Sequence, residues 1–219
     1  KAVYQKPDAS ISASNMYNEE IWYDKGGNIS MLNRNGDLDS DQAGVGPFTI
    51  DNLFYTYHPT KKNQLMKVWD ESYVQLGFKD DYEGVADNTD DYTYDANGNM
   101  KSDTNKLITN ITYNHLNLPI RINFVTGQKI EYLYDATGRK VKKTVQHSIN
   151  NIVVTDYLEG YQYTNTKLDF FPHSEGYVNV VTDENEDVHY NYVYQYKDHL
   201  GNIRVNYSYD APAETVKIL

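Results

Sequence analysis

The chain contains no cysteine, an excess of acidic over basic residues and no long apolar segment, and each of these features excludes a class of protein. Without cysteine there is no disulfide framework, no thiolate zinc site and no cysteine nucleophile. The formal net charge of −11 disfavours binding to nucleic acids or anionic membranes, because both attract basic surfaces. No apolar run approaches the length of a membrane span.

The sequence also lacks a helical hydrophobic period and paired histidines. Its six histidines are scattered singly, so we predict neither a metal site nor a cofactor. No nucleophile stands with a base and an orienting group, so we expect a protein without catalytic activity. The chain starts with neither a signal peptide nor a methionine, and we expect it to be a piece of a longer protein.

What the chain has in abundance is tyrosine, 22 of 219 residues, much of it in a phrase that returns. The copies are Tyr94-Asp95-Ala96-Asn97-Gly98-Asn99, Tyr113-Asn114-His115-Leu116-Asn117-Leu118 and Tyr134-Asp135-Ala136-Thr137-Gly138-Arg139. Gly98 and Asn117 are 19 residues apart, and Asn117 and Gly138 are 21 apart. A unit of roughly 20 residues is typical of repeat proteins, whose stacked units together bury a face that one unit cannot.

Each phrase predicts a strand, a turn and a second strand. Tyrosine packs on the neighbouring strand, aspartate or asparagine accepts hydrogen bonds from the turn, and glycine supplies a positive φ. Alternation supports this, since Tyr190, Tyr192, Tyr194 and Tyr196 share one face of a strand. We therefore predict an all-β protein of antiparallel β-hairpin repeats that form a curved, spiralling sheet.

Weaker copies extend the repeat and set the predicted domain organisation. They begin at Trp22, Phe54 and Lys197, and the acidic stretches 35–47 and 79–91 between them are predicted to be inserted loops. We predict an N-terminal cap or linker at 1–18, a repeat region at 19–155 and a further module at 156–219.

The Tyr-Asp-x-x-Gly units resemble the YD repeats of bacterial RHS proteins. The segment Tyr194-Gln195-Tyr196-Lys197-Asp198-His199-Leu200-Gly201-Asn202-Ile203-Arg204 is similar to the signature that opens the RHS-associated core domain. The resemblance covers roughly residues 22–209. It gives a structural signature of Tyr94, Asp95, Gly98, Tyr134, Asp135, Gly138, Asp198, His199, Gly201 and Arg204.

This resemblance implies a β-ribbon that spirals into a hollow shell or a shorter barrel-like wall. RHS proteins are secreted or lie on the bacterial surface, and many enclose a polymorphic toxin as their C-terminal domain. The self-cleavage motif that follows the signature in the family is not among these residues. The expected partner is the protein's own C-terminal domain, a secretion component or a surface protein.

Two groups of residues invite a chemical interpretation. Asp37, Asp39 and Asp41 have the alternating spacing of calcium-loop ligands, although the glycine and late glutamate of an EF-hand are missing, and a solvated acidic loop is the alternative. Asp198 and His199 are acid-base types, but neighbours on a strand point to opposite faces, which favours a structural turn in which Arg204 pairs with a carboxylate or carbonyls.

The tyrosine stripe at 190–196 has two interpretations as well, because its rings could bind sugars or peptides or pack on neighbouring strands. Two functions follow for the whole chain. The first is a shell or scaffold segment that holds another polypeptide. The second is a surface interaction module for adhesion, gliding motility or docking to secretion machinery.

Overall fold

Strands and turns make up the described part of the chain, as the alternating pattern predicts. The structure is a computed structural model and describes residues 17–36, 48–72, 74, 76–80, 89–210 and 215–219. Within these ranges there is no helix, and the sheets are built from antiparallel hairpins. The strands are β1 (Glu19–Tyr23), β2 (Ile29–Gly36), β3 (Phe48–Tyr57), β4 (Leu65–Asp70), β5 (Tyr92–Tyr94), β6 (Met100–Asp103), β7 (Ile108–Tyr113), β8 (Pro119–Phe124), β9 (Lys129–Tyr134), β10 (Lys140–Ser148), β11 (Asn151–Leu158), β12 (Tyr161–Thr164), β13 (Lys167–His173), β14 (Gly176–Thr182), β15 (Val188–Lys197), β16 (Ile203–Asp210) and β17 (Thr215–Ile218).

Both sheets follow the order of the chain. The first contains β1 to β4 and the second contains β5 to β17, and within each sheet every strand lies beside the next strand of the chain. As far as the structure describes the chain, neither strand order returns to its first member, and neither sheet closes into a barrel. The predicted all-β class and the antiparallel hairpin organisation are confirmed.

The chain divides into two compact units, Lys1–Thr112 with Ile122–Thr126, and Tyr113–Arg121 with Gly127–Leu219. Asp156, the predicted start of a further module, lies within β11. The predicted N-terminal cap lies outside the described residues except for its last two positions, and it stays a prediction.

The core of the first unit lies on one face of its four-stranded sheet. Leu53 of β3, Val68 of β4 and Tyr92 of β5 are buried together. Partly buried apolar side chains complete this core, namely Leu32, Tyr55, Leu65, Phe78, Tyr94 and Met100. Full burial of such a side chain stabilises a fold by about 1.5–3 kcal/mol.

The second unit buries two valines and relies on a close backbone approach beside them. Val178 in β14 and Val193 in β15 are buried. A Cβ on Gly176 would lie 2.1 Å from the carbonyl oxygen of Val193, so the first residue of β14 has to be glycine for the two strands to pair at this distance.

The two predicted acidic loops are described only in part. The prediction was wrong for Asn35 and Gly36, which are the last residues of β2. Asn35 donates its backbone N–H to the carbonyl oxygen of Asn18 at 2.9 Å and pairs with Thr49, so the ladder continues past an irregularity in its register. Residues 37–47 and 81–88 lie outside the described residues. Over the described ranges, no helix has the length and apolar character needed to span a bilayer.

Candidate functional site

The aspartate builds the turn that follows the Tyr-Asp pairs at 23–24, 94–95 and 134–135. At Asp95 the backbone N–H donates to the carbonyl oxygen of Asn99 at 2.8 Å, and Gly98 N–H donates back to the Asp95 carbonyl at 3.1 Å. The Asp95 Oδ1 atom accepts from Asn97 N–H at 2.9 Å and from Asn99 N–H at 2.8 Å. One carboxylate oxygen therefore satisfies two N–H groups that the turn cannot pair with its own carbonyls.

The same hydrogen bonds recur in further turns of the described chain. In each copy the side-chain Oδ1 accepts from the residues two and four positions later, and the carbonyl accepts from the third. The anchoring residues of these other copies are Asp24, Asn114, Asp135, Asp183 and Asp198. The structure thus extends the repeat to a turn at 183–187 that the sequence analysis missed.

The fourth position of each turn has a left-handed backbone. Gly98, Gly138 and Gly201 have φ angles of 86°, 85° and 85°. Asn117 and Glu186 adopt φ angles of 58° and 66° at the same position, where a side chain costs conformational energy. Because Glu186 replaces the glycine of the phrase, glycine spacing alone could not reveal this copy, whereas the Asp-x-Asn pair at 183–185 was a usable signal.

The tyrosine of the phrase ties its hairpin to an earlier one. In each contact its hydroxyl donates to the carbonyl oxygen of the first residue of an earlier strand. The pairs are Tyr57 to Ile29 at 2.9 Å, Tyr94 to Leu65 at 2.5 Å and Tyr134 to Pro119 at 3.0 Å. These tyrosines therefore link neighbouring hairpins by a hydrogen bond. Phenylalanine could not do so, because it has no hydroxyl group.

Burial and hydrogen bonding keep these groups in one protonation state. Burial raises the pKa of Tyr94 and of Tyr134 above the ordinary value, so both phenols stay protonated donors. The pKa of Asp135 falls from 3.8 to about 2, first because the Thr137 hydroxyl donates to it and then because the backbone N–H of Arg139 does. The pKa values of the other anchoring aspartates are lowered too, namely those of Asp24, Asp95, Asp183 and Asp198.

The Asp198 turn contains the residues of the predicted signature. The Asp198 Oδ2 atom accepts from Arg204 Nε at 2.8 Å and lies 2.7 Å from a second nitrogen of that guanidinium. Gly201 takes the left-handed position, while His199 is exposed and forms neither a hydrogen bond nor an ion pair with Asp198. In this geometry both carboxylate oxygens of Asp198 accept hydrogen bonds, Oδ1 from turn N–H groups and Oδ2 from Asn202 and Arg204.

Buried carboxylates of the first unit were missed by the sequence analysis. Asp51 has no exposed surface, and its Oδ1 accepts from the backbone N–H of Phe78 at 2.6 Å, while its Oδ2 accepts from Arg34 Nε at 2.5 Å. Gly77 makes this possible, because a Cβ there would lie 2.2 Å from Asp51 Oδ1. The carboxylate therefore fixes segment 76–78 to β3.

Asp91 and Asp70 also accept hydrogen bonds from backbone N–H groups, at the edge of the four-stranded sheet. The Asp91 Oδ2 atom accepts from the backbone N–H of Val68 at 2.8 Å and from Asn105 Nδ2 at 2.8 Å. The Asp70 Oδ1 atom accepts from the backbone N–H of Asn52 at 2.9 Å. Both carboxylates accept hydrogen bonds from backbone N–H groups of strands. An aspartate within an otherwise apolar strand, such as Asp51 in β3, was the sequence signal that could have predicted a buried carboxylate.

The acidic residues that the structure describes form no cluster suited to a metal ion. Within the described ranges, no group of three or more His, Asp or Glu side chains is placed to hold a metal. The calcium candidates Asp37, Asp39 and Asp41 lie outside the described residues. Asp80, from the second acidic stretch, accepts from the backbone N–H of Asp70 at 3.0 Å.

The predicted tyrosine stripe lies on one face of β15, and we call the face formed by it and its cross-strand neighbours in β14, β16 and β17 the tyrosine face. Tyr190, Tyr192 and Tyr196 are 55%, 53% and 67% exposed. The Tyr194 and Tyr207 rings stack with centroids 5.5 Å apart. The other members are the apolar or aromatic residues Gly176, Val178, Val180, Val205, Tyr209, Val216 and Ile218. The face carries ring contacts between strands and leaves an uncharged aromatic surface exposed.

Comparison with known proteins gives structural likeness alone. No family model and no curated protein matches the chain. Three solved structures that it resembles are TcdB2-TccC3-TEV at 14% identity and a TM-score of 0.32, the Photorhabdus luminescens Tc holotoxin pore at 12% and 0.31, and TcdB2-TccC3 without its hypervariable C-terminal region at 14% and 0.31. The matches cover 87%, 87% and 90% of this chain and 14%, 14% and 13% of the other chains. The chain thus spans about one seventh of their length, and likenesses this low carry no argument about function.

Proposed function

We propose that this chain is a non-catalytic wall segment of a secreted or cell-surface bacterial RHS-repeat protein, which encloses or presents that protein's own C-terminal domain. The observation that carries the proposal is the recurrence of one turn, with the same hydrogen bonds, along both units. A chain that repeats a structural unit forms an extended surface whose role comes from its shape more than from one site.

The roles of the repeated side chains support a structural function. The carboxylates of Asp95 and Asp198 accept hydrogen bonds from N–H groups of their own turns. The hydroxyls of Tyr94 and Tyr134 donate to carbonyl oxygens of earlier strands. Catalytic sets leave at least one polar group directed at a substrate. We therefore propose that these residues stabilise the wall and perform no chemistry.

The tyrosine face is our candidate for the side of the wall that faces an enclosed polypeptide. It carries no charged side chain across four neighbouring strands, and its exposed tyrosines offer apolar rings together with hydroxyl groups. Such a surface contacts many sequences without specific ion pairs. The net charge of −11 further suits a basic cargo, and a toxin domain of the polymorphic class is the occupant that we propose.

Protease protection tests this proposal. The chain would be expressed with its native C-terminal continuation and compared with that continuation alone. Enclosure predicts that the continuation survives a protease concentration that digests it when free. Equal digestion rates would contradict enclosure.

The second candidate is a surface interaction module for adhesion, gliding motility or docking to secretion machinery. The exposure of Tyr190, Tyr192 and Tyr196 favours it, since aromatic patches on a sheet are common recognition surfaces. The number of Tyr-Asp-x-x-Gly copies in the complete gene separates the two. Many more copies with a variable tail favour the wall, whereas a gene barely longer than this chain favours the module.

A further inference from the structure

The first unit contains an open groove of about 790 Å³ between two hairpin turns. One wall is the loop at 60–64 between β3 and β4, and the other is the turn at 96–98 between β5 and β6. Leu65, Tyr94 and Met100 lie between the walls and belong to the apolar layer around the core. Ligand sites in proteins commonly have volumes of about 300–1,000 Å³ and an apolar lining with a few polar groups.

Both walls are held by hydrogen bonds within the chain. His58 Nδ1 accepts from the backbone N–H groups of Thr60 at 3.2 Å and Lys61 at 3.1 Å, and Gln64 N–H donates to the Lys61 carbonyl at 2.8 Å. The opposite wall is fixed by the Asp95 turn. Because hydrogen bonds within the chain already fix both walls, the binding free energy does not have to offset the entropy cost of ordering them.

The rim of the groove is positively charged on an otherwise acidic chain. Lys61 and Lys62 are exposed, and within the described ranges neither ammonium forms an ion pair. The carboxylate next to the opposite wall, that of Asp95, already accepts from Asn97 and Asn99. The ammonium groups of Lys61 and Lys62 lie beside the apolar floor formed by Leu65, Tyr94 and Met100. This arrangement is complementary to a ligand that carries carboxylates and an apolar side chain.

We propose that this groove binds a short acidic peptide segment of another protein. Carboxylates of the segment pair with Lys61 and Lys62, and an aliphatic side chain lies on the floor formed by Leu65 and Met100. The groove is open to solvent, which suits an extended chain that passes through it. Two cations on a chain of net charge −11 are too few for a nucleic acid, whose binding requires a larger basic surface. This proposal does not depend on the wall function.

The test uses the 219-residue chain and a fluorescein-labelled hexapeptide, Glu-Glu-Leu-Asp-Glu-Glu, in a fluorescence anisotropy titration. We expect saturable binding with a Kd below about 1 mM. The double variant Lys61→Glu/Lys62→Glu should weaken binding at least about tenfold, because two attractive contacts become repulsive. The matched control Lys167→Glu/Lys217→Glu makes the same charge change in the second unit and should alter the Kd less than about twofold. Circular dichroism checks that both variants fold.

Further arms identify the ligand class. A peptide with serine in place of leucine should bind more weakly, because it leaves the apolar floor uncovered. Raising the salt concentration from about 50 mM to 500 mM should also weaken binding, since the rim is exposed. The proposal is overturned by absence of saturation, by equal loss of binding in the two double variants, or by tighter binding of a single-stranded DNA oligonucleotide than of the peptide.

Discussion

The hydroxyl of Tyr94 donates a hydrogen bond of 2.5 Å to the carbonyl oxygen of Leu65, a residue 29 positions earlier in the chain. The contact joins the end of β5 to the beginning of β4 and so links one hairpin to the previous one. In the second unit Tyr134 makes the corresponding contact to Pro119. The tyrosine of the repeated phrase therefore connects hairpins, while the aspartate that follows it closes its own turn.

Removing the hydroxyl of Tyr94 should destabilise the first unit. Tyr94→Phe keeps the ring but leaves the Leu65 carbonyl without its donor, which costs about 1–3 kcal/mol of unfolding free energy when an acceptor is buried. Urea denaturation followed by circular dichroism measures the change. Tyr196→Phe is the control, because that ring is 67% exposed, and it should leave the midpoint unchanged. A midpoint for Tyr94→Phe equal to that of the control would show that the hydroxyl contact adds no stability.

Replacing Asp95 separates hydrogen-bond acceptance from charge. Asp95→Ala removes the oxygen that accepts from Asn97 and Asn99, and it should lower the unfolding free energy. Asp95→Asn keeps an acceptor, as Asn114 does in its own turn, so it should cost less than half as much. Chemical denaturation of the two variants gives the comparison. If asparagine proved as damaging as alanine, charge and not acceptance would hold the turn.

At the left-handed turn position, removing a glycine should lower the stability of the fold and introducing one should raise it. Gly98→Ala meets nothing within 4 Å but places a Cβ at φ 86°, which should cost about 1 kcal/mol. Glu186→Gly relieves a non-glycine φ of 66° and should raise stability by a few tenths to about 1 kcal/mol. Thermal melts of both variants measure the two signs. A Glu186→Gly variant less stable than the parent would refute the assignment of 183–187 as a copy of the turn.

Acid should weaken the anchored turns. The pKa of Asp135 is depressed from 3.8 to about 2 in the folded chain, so its contribution is present above its unfolded pKa and is lost as the pH falls from about 4 to about 2. Asp95 and Asp198 shift in the same direction. The urea midpoint should therefore fall in this range, and it should fall less steeply in Asp135→Asn, which cannot titrate at that position. Identical slopes for the two proteins would contradict the pKa shift of Asp135.

The sequence was sufficient for the fold class and for the copies of the turn that have glycine or asparagine at the left-handed position. Alternation of side chains and the glycine at the left-handed position are local signals, and both reflect the backbone directly. The copy at Asp183 was missed because Glu186 tolerates the same φ at an energetic cost that no spacing reveals. A local sequence pattern therefore predicts this turn well when the residue at its left-handed position is one that usually adopts a positive φ.

Contacts between hairpins could not be predicted in the same way. The partner of the Tyr94 hydroxyl and the burial of Asp51 depend on which strands become neighbours, and neither partner lies nearby in sequence. An aspartate in a strand is normally expected to be exposed, whereas Asp51 is buried and accepts hydrogen bonds from Phe78 N–H and Arg34 Nε. The groove beside Lys61 arises likewise from two turns 30 or more residues apart.

The proposed wall is tested most directly by photo-crosslinking from its two faces. A benzophenone amino acid would be placed at Tyr192, on the tyrosine face, and separately at Asn191, its neighbour on the opposite face of β15, in the longer protein from which we propose that the chain comes. Mass spectrometry then identifies the crosslinked peptides. A wall around its own C-terminal domain predicts crosslinks to that domain from position 192 and none from position 191. Crosslinks from position 192 only to other proteins, or equal crosslinks to the domain from both faces, would contradict it.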